Sequence, residues 1–232
     1  MITILSIETA TSICSVAVHQ EGRLLASAEL YLEKSHSSSL SLLIEQLISH
    51  CDLHLADLNA IAVSGGPGSY TGLRIGLSTA KGLCYALDIP LIAVSSLDAM
   101  SFHVQHYGPE QNGLLVPMID ARRMEVFYKA LSPSLKEIEP LSNLILEENS
   151  FDKFTEKYST LYLFGNGAEK AYKLYQQKGN FKILEDVNPS AKFLGHLAFF
   201  KFKQNEFENL AYFEPNYGKE FFSPVSKKKS FL

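Results

Sequence analysis

Apolar positions along the first hundred residues switch between two periods. Three short aliphatic runs come first: Ile2 to Ile7, Ile13 to Val18 and Arg23 to Leu32. Turns around Ala10–Ser12 and at Gly22 separate them. Such runs in tandem predict three strands in an antiparallel meander. Leu40, Leu43, Ile44, Leu47, Ile48 and Cys51 then recur on one helical face, with Ser35, Ser37, Ser38 and Ser39 offering caps. Asn59 to Ser64 predicts a strand, about Thr71 to Leu87 a long helix and Leu91 to Val94 a further strand. Ser95 to about Gln105 predicts a helix capped by Ser95 or Ser96. The order β-β-β-α-β-α-β-α describes an α/β chain with a mixed, helix-covered sheet.

The second half is less regular. Gly113 to Ile119 and Glu125 to Leu131 predict strands flanking a turn at Asp120–Arg123, and Leu161 to Phe164 another strand. Helices are expected over Ala168 to Gln177 and, after the Asn188-Pro189-Ser190 cap, over Ala191 to Lys203. The Gly- and Pro-containing break from Tyr107 to Gly113 divides the chain in two. Residues 1–106 form one subdomain carrying helices for a partner. Residues 107–232 form the other, whose last helix is expected to pack back on the first.

Composition narrows the function. Apolar residues make up 46% and charged residues 20% of the 232, which excludes wholesale disorder and coiled-coil or collagen-like classes. Twenty-one basic residues against 25 acidic give a net charge of −4, the wrong sign for a protein devoted to coating phosphate backbones. The Ser226–Ser230 segment, with Lys227, Lys228 and Lys229, reads as a solvated terminus or as a local RNA contact. Cys14, Cys51 and Cys84 are odd in number and widely spaced, so they read as small core residues. No basic leader and no apolar run of membrane length is present, and a cytoplasmic location is expected.

Six of the fourteen glycines fall between Gly65 and Gly82. The loop Gly65-Gly66-Pro67-Gly68-Ser69-Tyr70-Thr71-Gly72 precedes a helix start. It reads either as a phosphate cradle or as a tight strand-to-helix turn. It matches neither a P-loop nor the GxGxxG fingerprint. Gly72, Gly76 and Ala80 recur every four residues, and each interior glycine costs a helix roughly 1 kcal/mol. That cost predicts a flat face packed closely against another helix. Arg74, a cation in the first helical turn, points to a partner carboxylate or phosphate, or else to a solvated side chain lying along the surface.

These residues carry a resemblance. Ile7-Glu8-Thr9-Ala10-Thr11-Ser12, Gly66-Pro67-Gly68-Ser69-Tyr70-Thr71-Gly72-Leu73-Arg74-Ile75-Gly76, Ala80-Lys81-Gly82-Leu83, Val94-Ser95-Ser96-Leu97 and Ile119-Asp120-Ala121-Arg122-Arg123 resemble the bacterial TsaB family, closely over about residues 1–130. The resemblance implies an actin/Hsp70-like (ASKHA) fold. It implies a non-catalytic scaffold subunit for making threonylcarbamoyladenosine beside the tRNA anticodon. The subunit would dimerise with the catalytic paralogue TsaD, work with a TsaE-like ATPase, and meet tRNA through the complex. No cofactor is expected on this chain; ATP and a metal ion are expected on the partner subunits. When isolated, the chain is expected to form a homodimer.

The expected partner-binding residues are Leu40, Leu43, Leu47, Gly72, Leu73, Gly76 and Ala80. Gly66, Pro67, Gly68, Ser69, Thr71 and Arg74 form the glycine-rich loop and its helix start, and Glu8 and Thr9 a degenerate phosphate loop. The catalytic paralogue's two metal-binding histidines align here with Ser96 and Met100, which cannot replace imidazole ligands. His103 and His106 read as a helical metal pair or as surface histidines, His36 as a polar cap, and Asp120, Arg122 and Arg123 as a salt-bridged turn or a partner contact. Glu8 reads as an orienter of metal-bound water or as a hydrogen-bond partner of the glycine loop. The alternative function is a metal-dependent peptidase or an ATP-using enzyme of the same fold. A permanent homodimer is a third reading.

Overall fold

The computed structural model describes residues 1–32 and 36–219. The lysine tail at 227–229 and Ser35 lie outside them. The expected meander is present as β1 (Thr3–Glu8), β2 (Cys14–Gln20) and β3 (Arg23–Leu30), paired antiparallel. Helix α1 (His36–His50) leads to β4 (Ala60–Ser64), α2 (Tyr70–Leu87) leads to β5 (Leu91–Val94), and α3 (Ser96–Gln105) follows. Strands β4 and β5 join parallel, giving the sheet order β3-β2-β1-β4-β5.

The second sheet repeats this plan in the order β10-β9-β6-β7-β8. Its strands are β6 (Gly113–Asp120), β7 (Glu125–Leu131), β8 (Glu137–Ile145), β9 (Thr160–Phe164) and β10 (Phe181–Leu184). A short α4 (Asp152–Thr155) and α5 (Ala168–Tyr175) cover one face. Strands β8 and β10 lack a sequence expectation. Both are edges, and β8 carries Pro140, a residue tolerated at an edge, together with irregular pairing to β7.

Strand alternation sets the layers. Leu5, Ile7, Val16, Val18, Ile61 and Val63 face one way, under Leu40, Ile44, Leu47 and Ile48 of α1 and Leu77, Ala80 and Cys84 of α2. Ile4, Ala60, Ala62, Ile92 and Val94 face the other way, under Leu194 and Ala198 of α6 (Ala191–Lys203). The final helix therefore covers the first sheet. Leu97, Met100 and Val104 of α3 pack against Leu115, Phe127 and Phe164 of the second sheet, while Ala99 joins the α6 layer, so α3 lies between the two sheets. Among the described residues, no helix is long and apolar enough to cross a membrane.

Candidate functional site

The carboxyl ends of β1 and β4 bring three features together: the Glu8–Ala10 turn, the glycine loop, and the starts of α2 and α3. Glu8 is fully buried. Its carboxylate accepts the Ala10 N–H at 2.7 Å and the Ser96 hydroxyl at 2.8 Å. Burial pushes its pKa above the ordinary value, against these hydrogen bonds, which favour the charged form. Glu8 thus ties its own turn to the start of α3 rather than reaching the glycine loop.

The loop packs closely against Thr9, Ala10 and Asn216. At Gly66 (φ 92°) a Cβ would lie 2.1 Å from the Asn216 carbonyl oxygen. At Gly68 (φ 159°) it would lie 2.3 Å from that of Ala10, and at Gly72 2.2 Å from that of Thr9. Gly65 donates to Val94 O (2.8 Å), Ser69 N–H to Ala10 O (2.7 Å), and Asn216 N–H to Gly65 O (2.9 Å). The Ser69 hydroxyl caps α2 by accepting from Gly72 N–H at 3.2 Å. The peptide between Gly66 and Pro67 is cis. The chain's own backbone fills the space beside Gly66, Gly68 and Gly72, while Gly65 and Gly66 also line a cavity of about 250 Å³ with Ser95, Lys129 and Glu214. Around Gly68 and Gly72 the loop makes a tight turn between β4 and α2.

The small-residue stripe needs a correction. Gly72, Leu73, Gly76 and Ala80 are all buried within the chain, Gly72 and Gly76 against the end of β1 and the turn after it, and not left for another molecule. The Thr9 hydroxyl, which has no hydrogen-bond partner, sits where a Gly76 Cβ would project, at 2.3 Å. Close backbone approach does explain these glycines, but the approaching element is a strand end of the same subdomain. Leu40 and Leu47 are likewise core residues under the sheet, and Leu43 is half-buried.

What remains uncovered on these helices is a different set of residues. Thr71, Arg74, Ser78, Gly82 and Tyr85 form the outer face of α2, and nothing lies within 4 Å of a Cβ built on Gly82. Tyr85 is 83% exposed, and Leu42 on the adjacent α1 is 53% exposed. Sequence reasoning singled out Thr71 and Arg74 with the glycine-rich loop but not Ser78, Gly82 and Tyr85 as a partner face. The available signal was Gly82 with Tyr85, a glycine off the inner stripe beside a large aromatic residue. Arg74 Nε donates to the Tyr217 hydroxyl at 3.2 Å, and its guanidinium lies 4.1 Å from the Tyr70 ring centre, so it is partnered within the chain.

The remaining candidates stand apart. Ser96 is consumed by Glu8, and Met100 is buried in the core. His103 stacks on Phe193 at 3.8 Å and shares a hydrogen bond with Tyr107. The His106 ring nitrogen lies 2.7 Å from Phe102 O. His36 is buried, with its ring nitrogen 2.9 Å from Thr11 O, a tether rather than a cap. Among the described residues no group of three His, Cys, Asp or Glu is arranged to hold a metal ion.

Comparison with known proteins places this architecture. Residues 30–223 match the family model described as TsaD, tRNA N6-adenosine threonylcarbamoyltransferase. The tRNA threonylcarbamoyladenosine biosynthesis protein TsaB of Bacillus subtilis is 34% identical over 199 residues, 84% of this chain and 81% of the relative. The chain belongs to the TsaB family. YeaZ from Pseudomonas aeruginosa superposes with a TM-score of 0.77 at 25% identity, over 94% of this chain and all of that one. Component A of the (R)-2-hydroxyglutaryl-CoA dehydratase of Acidaminococcus fermentans superposes with a TM-score of 0.52 at 8% identity, over 89% of this chain and all of that one. That second likeness shows fold alone. This TsaB-family chain has the expected actin-like fold, built as two mixed sheets covered by helices.

Proposed function

We propose that the chain is a non-catalytic subunit of an assembly that forms threonylcarbamoyladenosine in tRNA. It pairs with a TsaD-like paralogue and works with a TsaE-like ATPase. Its relatives' names support the pathway. The observation that carries the pairing is the uncovered outer face of α1 and α2, two adjacent helices, with Leu42 exposed on α1 and Ser78, Gly82 and Tyr85 exposed on α2. An exposed aromatic next to a glycine that nothing internal requires is the composition of an interface anchor beside a close-approach point. The same face supports self-association of the isolated chain. The non-catalytic reading is supported by the one buried carboxylate among the described residues. Glu8 accepts hydrogen bonds from Ser96 and the Ala10 backbone amide, and among the described residues no imidazole hydrogen-bonds to it.

The test is co-elution of this chain with a TsaD-like protein on a sizing column, using wild type, Tyr85→Ala and Gly82→Glu. Wild type should co-elute, and each variant should weaken binding at least roughly tenfold, the scale of an interface anchor. Wild type that fails to pair removes the proposed function. Variants that pair unchanged remove the α1–α2 face.

A further inference from the structure

The hairpin joining β6 to β7 has a feature that its packing does not explain. Arg122 and Arg123 occupy successive left-handed backbone positions, φ 73° and 48°. Such positions favour glycine or asparagine and are unfavourable for a long side chain. The turn is closed by Ala121 N–H donating to Glu125 O (3.0 Å) and Glu125 N–H donating to Arg122 O (3.1 Å). An Asn-Gly pair would fold it with less strain. Backbone strain at an exposed site invites a functional reason.

The charges around the turn sharpen the question. The Asp120 carboxylate accepts the Arg122 backbone N–H and an ion pair from Lys170 at 2.7 Å. Glu125 is taken by Lys219. Both acids at the foot of the hairpin are thus matched by lysines. Neither guanidinium forms an ion pair among the described residues. Of the two readings of this turn, the salt-bridged one therefore does not describe the arginines. Both side chains are exposed, and of the two apolar residues of the loop Ala121 packs against the core while Met124 is the exposed one.

We propose that this hairpin tip contacts the phosphodiester backbone of RNA. The inference rests on the reading of the chain as a subunit of a tRNA-modifying assembly. Two adjacent guanidinium forks on a rigid turn match phosphate oxygens bidentately. A protein partner would need an apolar anchor that a single half-exposed methionine does not supply. The contact is confined to the tip. Asn166, which accepts the Asp120 N–H, opens onto a cavity of about 350 Å³ lined by Glu169, Glu185 and Asp186, and those carboxylates repel phosphate. The hairpin belongs to the second sheet, whereas α1 and α2 pack on the first. Contacts of this kind position an RNA and read no sequence.

The experiment uses the full chain bound to its TsaD-like paralogue and a labelled tRNA transcript, titrated at several salt concentrations. Arg122→Asn with Arg123→Gly relieves the strained backbone while deleting both charges. Arg122→Lys with Arg123→Lys keeps the charges. The first variant should melt no lower than wild type and still co-elute with the paralogue. It should bind tRNA roughly tenfold more weakly, with a salt slope reduced by about 1 to 2. The lysine variant should keep most of the slope. An intact assembly with unchanged affinity and slope overturns the proposal. Loss of co-elution in the first variant also overturns it, in favour of a protein contact at the tip. Wild type that never pairs with the paralogue fails on the earlier reading, which the sizing column reports separately.

Discussion

At the scale of single residues, burial decides what the titratable groups do. His19 on β2 is fully buried, with one ring nitrogen 3.0 Å from Lys192 O on α6 and Nδ1 without a partner. Burial, and then the nearby His196, push its pKa down to about 4, against the raising effect of the Lys192 carbonyl. The unfolded imidazole titrates at 6.5, so between 6.5 and 4 the unfolded chain binds the extra proton. Stability is complete above about pH 6.5 and falls as acid approaches pH 4, by on the order of 3 kcal/mol from this residue. His103 and His196 shift in the same direction, also led by burial. Urea midpoints measured between pH 7.5 and 4.5 should fall steeply for wild type and less steeply for His19→Asn. Parallel slopes would show that His19 is not the acid-sensitive group.

At the scale of elements, two glycines of the same helix make opposite predictions. Gly76→Ala places a methyl on the buried Thr9 hydroxyl and should cost about 2 kcal/mol. Gly82→Ala meets empty space and should gain up to about 1 kcal/mol of helix propensity, raising the melting temperature by about 2–4 °C. Thermal melts of the two variants check both signs at once. Glycine spacing on α2 was legible in the sequence as a demand for close approach. The identity of the approaching element was not, because periodicity records that a face is covered and says nothing about what covers it. The same limit applies to α1, whose Leu40 and Leu47 read as a face for a partner and lie instead under their own sheet. Short, mainly aliphatic strands buried along their whole length, such as β1 and β4, were legible to within a residue or so. The edge strand β8 was not, since Pro140 and its polar, exposed positions leave it without an apolar run. The Glu8–Ser96 hydrogen bond joins residues 88 positions apart, and no local pattern encodes such a pair.

At the scale of the molecule, the first sheet is finished by a segment from far along the chain. Gly195 on α6 is the contact point: a Cβ there would lie 2.2 Å from His19 Nδ1 and 2.7 Å from the Ser6 hydroxyl. Gly195→Val should lift α6 from Ile4, Ala62 and Ile92 and lower unfolding stability by at least about 2 kcal/mol, read from denaturant midpoints. A stability within experimental error of wild type would mean that α6 does not need this close approach. Beyond α6, Glu208 N–H donates to Leu91 O and Asn216 N–H to Gly65 O, so the returning segment also secures β5 and the glycine loop.

That return path has a consequence for synthesis. A nascent chain leaving the ribosome can assemble the meander and its two outer helices early. The opposite side of that sheet, with Ile4, Ala60, Ala62, Ile92 and Val94, stays bare until residues 191–203 emerge. Those aliphatic side chains must wait in water or in the care of a chaperone while the whole second sheet is translated.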